Sequence, residues 1–101
     1  MPQERIEAFC RKWKVKELAL FGSVITEDFR PDSDIDIMVV FQEGALPEDW
    51  HQLLVERRLM RQELRDIFIG RKIDLVEKKN ITNQFIRYHA LTHKLVIYAS
   101  G

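Results

Sequence analysis

Apolar residues along the chain switch between two periods, and the switches divide it into short elements. From about Gln3 to Lys14, Ile6, Phe9, Cys10 and Trp13 fall at i, i+3, i+4 and i+7, the stripe of an amphipathic helix. Val15 to Phe21 is a short apolar run closed by Gly22 and reads as a strand. Ser23 to Asp28 reads as a short helix, followed by the turn-rich Arg30-Pro31-Asp32-Ser33. Ile35 to Phe41 is apolar enough for a central strand, and Gln42 to Pro47 is a loop. From about Glu48 the chain turns helical, with Trp50, Leu53, Leu54, Leu64, Ile67 and Phe68 on a broad apolar face and Gly70 placed to end it. Lys72 to Val76 is a third strand, Thr82 to about His93 a helix, and Leu95 to Tyr98 a last short strand. Alternating helices and strands predict an α/β or α+β fold in which helices cover a small sheet.

Composition narrows the function more than the fold. The 101 residues fit one domain, 1–101, long enough to bury a core without staples. Sixteen basic and sixteen acidic residues cancel, which argues against general nucleic-acid binding, since neutralising phosphates takes surplus Lys and Arg. A small phosphate ligand held through metal ions stays compatible with that balance. The single cysteine, Cys10, has no internal disulfide partner, so a cytoplasmic setting is expected. No apolar run reaches 18 residues and the N-terminus is charged, so neither a membrane span nor a signal peptide is expected.

The chemistry is concentrated in Leu20-Phe21-Gly22-Ser23 and, ten residues on, Asp34-Ile35-Asp36. Side chains alternate along a strand, so Asp34 and Asp36 project from one side, their Cα atoms roughly 6.5–7 Å apart. Ile35, Ile37, Val39 and Phe41 take the other side, and a slip of one residue would bury both carboxylates. Two such charges without a cation raise at least one pKa, and Mg²⁺, which takes oxygen ligands, removes the penalty. Asp74 lies in the alternating Lys72-Ile73-Asp74-Leu75-Val76 and joins the cluster if the two strands are neighbours. Gly22 would let the backbone approach a phosphate, and Ser23 would open a helix whose first amides attract anions.

These segments, with Arg30-Pro31-Asp32-Ser33-Asp34-Ile35-Asp36-Ile37, resemble the Gly-Ser/Asp-x-Asp signature of the DNA polymerase β-like nucleotidyltransferases, and more narrowly the minimal nucleotidyltransferase group. The resemblance implies a nucleotidyltransferase fold with a small mixed sheet flanked by helices. It also implies two Mg²⁺ ions, ATP as donor, and transfer of a nucleoside monophosphate with release of pyrophosphate. Asp34, Asp36 and Asp74 would be the catalytic metal ligands, and Gly22 and Ser23 would contact phosphate. Members of this group often act as antitoxins that attach AMP to a HEPN-type ribonuclease toxin. One departure stands out: where many members carry arginines after the Gly-Ser, this chain has Val24-Ile25-Thr26-Glu27, and Arg30 is the nearest substitute.

The expected acceptor is a hydroxyl on a partner protein, on a second copy in a homo-oligomer, on tRNA or on a small molecule. An alternative is an antitoxin that neutralises its partner by contact and keeps only a weak nucleotide site. Other residues have plainer readings. His89 and His93 lie at i, i+4 but lack a third zinc ligand, which suits a surface role. Arg57, Arg61 and Arg65 form either a solvated face, with Glu56, Glu63 and Asp66 nearby, or a docking stripe. Trp13 and Trp50 are read as core or hinge packing, and Cys10 as a small core residue.

Overall fold

The computed structural model of the chain describes residues 2–22, 34–81 and 93–100. Helix α1 spans Gln3–Lys12 and buries Ile6, Phe9 and Cys10, the predicted stripe. It stops two residues earlier than the apolar pattern suggests, because Lys14 turns into the left-handed region at φ 56° and releases the chain into a strand. Strand β1 follows at Val15–Phe21 and β2 at Ile35–Phe41, both as expected. Helix α2, Trp50–Ile67, starts where the Asp49 carboxylate accepts the Gln52 N–H at 3.1 Å. It ends where Ile69 and Gly70 both take positive φ and the Gly70 N–H reaches the Arg65 carbonyl at 2.7 Å. Strand β3 is Ile73–Glu77, followed by a 3₁₀ turn over Lys78–Asn80, and β4 is Leu95–Ala99. The helices expected over Ser23–Asp28 and over most of Thr82–His93 lie outside the described residues.

The four strands form one sheet in the order β3-β2-β1-β4. Strand β1 pairs antiparallel with both β2 and β4, whereas β2 and β3 run parallel. Parallel neighbours need a crossover, and α2 supplies it. The sheet is therefore mixed, the arrangement the family resemblance implies. Ile35, Ile37 and Val39 of β2, Leu18 and Leu20 of β1 and Ile73 and Leu75 of β3 meet the helices, packing on Ile6, Phe9, Met60 and Leu64. The opposite face carries a second, smaller cluster of Ala19, Met38 and Ile81, with Phe21 and Val76 beside it.

Polar contacts lock the helices to each other and to the sheet. Glu63 accepts the Trp13 indole N–H at 2.9 Å and pairs with Lys12 Nζ at 2.9 Å, joining α1 to α2. Trp13 is thus packed through its ring and satisfied at its nitrogen. Arg57 donates to the Leu75 carbonyl at 3.4 Å and stands 3.9 Å from the buried Glu77, so it braces β3 rather than forming part of a solvated face. Two expectations are corrected here: Trp50 and Leu54 are exposed. They fall to the side of the stripe made by Met60, Leu64 and Ile67, and apolar character alone does not bring them to the sheet. Among the described residues, no helix is long and apolar enough to cross a membrane.

Cys10 is fully buried in the helix-side core, as read from the sequence, and burial, with the nearby Glu7 charge adding to it, pushes its thiol pKa up to about 12. Iodoacetamide at pH 8 should therefore leave the native protein unmodified and label Cys10 only in denaturant, read by intact mass. Leu64 is also fully buried, in the contact between α2 and the sheet. Leu64→Ala should cost about 2–5 kcal/mol in urea unfolding, the range for a leucine truncated in a packed core.

Candidate active site

The parallel register of β2 on β3 sets Asp36 opposite Asp74, and the antiparallel register of β1 on β2 sets Phe21 opposite Asp36. Ile35, Ile37, Ile73 and Leu75 are committed to the helix-side core, so alternation sends both aspartates to the other face. The meeting of Asp36 and Asp74 that the sequence made conditional on strand order therefore takes place. The two carboxyl groups lie within hydrogen-bonding reach of each other. Partial burial, then the charges of Asp74 and Asp34, then the hydrogen bond with Asp74 raise the Asp36 pKa above the ordinary aspartate value of 3.8.

Asp34 sits differently. It precedes β2, is exposed, and leans towards Lys72, whose Nζ is 3.9 Å from its Oδ2. The backbone explains that pairing: the Ile35 N–H donates to the Lys72 carbonyl at 2.9 Å, so the register that matches Asp36 with Asp74 also carries Lys72 to Asp34. Among the described residues, no three His, Cys, Asp or Glu side chains are grouped to hold one ion. Asp36 and Asp74 form the close pair, and Asp34 acts on Asp36 through its charge. Sequence reading missed Lys72, and the only signal for it is its place two residues before Asp74 in an alternating strand.

Gly22 closes the site from the β1 side. It has φ 73°, a conformation that side chains resist, and a Cβ built on it would collide with Asp36 Oδ2. The place a side chain would take is already filled by the Asp36 carboxylate, and only glycine lets the end of β1 come this close to it. Ser23 lies outside the described residues, as do Arg30 and His89. The donors present are carboxylate oxygens that repel one another without a counter-charge, a set suited to a hard divalent cation.

The mutual repulsion has a measurable consequence. A carboxyl whose folded pKa is raised binds its proton more tightly than in the unfolded chain. It therefore destabilises the fold as pH rises from the ordinary aspartate value through the raised one. Asp36→Asn removes that penalty. In metal-free buffer it should raise Tm at pH 7, with the gain vanishing as pH falls below the ordinary aspartate range, followed by calorimetry at several pH values.

A family model described as polymerase beta, nucleotidyltransferase, matches residues 4–100. MJ1379 of Methanocaldococcus jannaschii, named for protein adenylyltransferase activity, is 37% identical over 78 residues, covering 75% of this chain and 70% of its own. MJ1217 of the same organism, named likewise, is 33% identical over 78 residues, covering 75% and 69%. A toxin–antitoxin structure solved with AMP-PNP shares the fold at TM-score 0.69 and 20% identity, over 99% of this chain and 75% of that one. A minimal nucleotidyltransferase structure does so at TM-score 0.68 and 24% identity, over 92% and 86%. The carboxylate pair on β2 and β3, facing Gly22 at the end of β1, thus lies within the stretch that the family model spans, and the chain belongs to the polymerase-β nucleotidyltransferase family and is itself a nucleotidyltransferase.

Proposed function

We propose that the chain transfers AMP from ATP to a hydroxyl group on a partner protein and acts as the antitoxin of a toxin–antitoxin pair whose toxin is of the HEPN type. The observation that carries the chemistry is the Asp36–Asp74 pair on neighbouring strands, with the Gly22 backbone set close against the Asp36 carboxylate. The protein-directed reading is supported by the names of the Methanocaldococcus jannaschii relatives. The antitoxin reading is supported by the solved toxin–antitoxin neighbours.

In the reaction the acceptor oxygen forms a bond to the α-phosphorus, the bond to the β-phosphate oxygen breaks, and pyrophosphate leaves while the acceptor proton is lost. Asp34, Asp36 and Asp74 would hold two Mg²⁺ ions. When bound, these would neutralise phosphate charge and lower the pKa of the acceptor hydroxyl. Asp36, central among the three, would place the α-phosphate, and Asp74 would orient the acceptor beside it. The Gly22 backbone would approach the triphosphate closely, with the Ser23 hydroxyl as a further donor. Little covalent work falls to the protein, whose contribution is positioning and charge compensation.

A second reading has one observation in its favour. Val24-Ile25-Thr26-Glu27 follows the Gly-Ser where the family resemblance implies arginine, so triphosphate affinity would be lowered and the partner neutralised by contact alone. Incubating the co-purified complex with ATP labelled at the α- or the γ-phosphate separates the two. Transfer predicts label on the partner from the α position only, whereas contact predicts none from either.

Asp34→Asn, Asp36→Asn and Asp74→Asn should each lower that transfer by about 100-fold or more, since each removes charge that the transition state relies on. Gly22→Ala should lose transfer as well and cost about 1–2 kcal/mol of stability for an alanine held at positive φ. Full transfer by the Asp36→Asn variant would refute the proposed chemistry.

A further inference from the structure

Helix α2 has two unlike halves on its outward side. Its first three turns expose Trp50 at 67%, Leu54 at 48%, Val55 at 58% and Leu59 at 43%. From Arg58 onward it exposes Arg58, Arg61 and Arg65, which with Gln62, Lys72 and Ile73 line a groove of about 220 Å³. Trp50 and Leu54 stand one turn apart on one flank of the helix, beside the arginines, and Val55 and Leu59 on the other; an exposed apolar pair next to a basic groove signals a contact surface.

The arginines are just as unusual. On a solvated helix, basic residues are commonly matched by acids three or four positions away. Arg58 has Leu54, Val55, Arg61 and Gln62 at those positions, Arg61 has Arg57, Arg58, Leu64 and Arg65, and Arg65 has Arg61, Gln62, Phe68 and Ile69. None of these is acidic. Glu63 is committed to Lys12 and Trp13, and among the described residues Arg58, Arg61 and Arg65 form no ion pair. Like charges held side by side oppose helix formation, so their cost is borne without a counterpart inside the fold.

The groove also lies at the end of the sheet where the chemistry is. Helix α2 leaves the far end of β2 and returns to the start of β3, so its last turns stand beside the strand ends bearing Asp36 and Asp74. Lys72 belongs to the groove and reaches Asp34 at 3.9 Å, bridging the two regions.

We propose that the outward face of α2 is the docking surface for the acceptor protein, through an acidic amphipathic segment. Its apolar residues would cover Trp50 and Leu54, and its carboxylates would enter the Arg58–Arg61–Arg65–Lys72 groove. The inference rests on the protein-acceptor reading above. Charge complementarity selects an acidic partner, and guanidinium groups favour carboxylates in paired hydrogen bonds. The apolar half selects a protein over RNA, because Trp50 and Leu54 offer phosphates nothing and gain from being covered.

The test uses a fluorescent synthetic helical peptide with leucines on one face and glutamates along both edges, and a labelled single-stranded RNA of equal charge. Fluorescence anisotropy should show the peptide binding the native chain and Asp36→Asn equally. Affinity should fall by about ten-fold or more in the R58E/R61E/R65E variant and also in W50A/L54A, with folding checked by circular dichroism. The RNA should bind more weakly than the peptide. No peptide binding, binding indifferent to these substitutions, or tighter binding of the RNA would each overturn the proposal. Peptide binding lost while AMP transfer persists sinks the docking surface alone, and transfer lost while binding persists sinks only the proposed chemistry.

Discussion

The alignment of β2 with β3 is the constraint on which the rest of the molecule turns. Ile35 opposes Ile73 and Ile37 opposes Leu75, and this apolar ladder faces the helices. Asp36 and Asp74 sit opposite each other on the reverse side as a direct consequence of alternation. Sliding one strand by a residue would press a carboxylate into the helix-side core, at a cost of several kcal/mol, and strip isoleucines from it. Two mutually repelling acids are thus held in place by a force that acts on their neighbours. The core does not favour the pair; it favours the register, and the pair comes with it.

The same register explains why the three aspartates are unequal. Asp36 lies inside the sheet between β1 and β3, where burial and two neighbouring charges act on it at once. Asp74 lies on the edge strand and Asp34 before the start of β2, where Lys72 offsets its charge. Gly22 belongs to this arrangement for a reason beyond turn geometry, since any side chain there would occupy the space of the Asp36 carboxylate. One glycine serves both the exit of β1 and the clearance above the acid.

Much of this was legible in the sequence because period two is unforgiving. In Ile35-Asp36-Ile37 and Ile73-Asp74-Leu75 each residue's neighbours dictate its face, so the aspartates could be assigned without coordinates. What could not be read was strand order, which decides whether Asp74 arrives at all, and with it the Lys72–Asp34 contact. The longer helix was misread in detail because four residues make slightly more than one turn. Arg57, Arg61 and Arg65 repeat every four residues, yet each step advances the helix by about 40°. Arg57 therefore falls inward, reaching Leu75 and Glu77, while Arg61 and Arg65 rotate out to solvent. Trp50 and Leu54 were counted as core for their apolar character, although the buried stripe through Met60 and Leu64 leaves them outside.

A net charge of zero conceals this partition. Acids gather on one face of the sheet at the strand ends, and cations gather on the outward side of the helix that crosses behind it. Such separation produces local fields of opposite sign without any overall charge, and a charged partner would meet each face differently. The two faces of α2 divide the work accordingly. Met60, Leu64 and Ile67 stabilise the alignment that assembles the acids, and the outward residues add nothing to it. Stability and the proposed recognition are then separable on a single helix, because substitutions on its outward side leave untouched the contacts that fix Asp36 against Asp74.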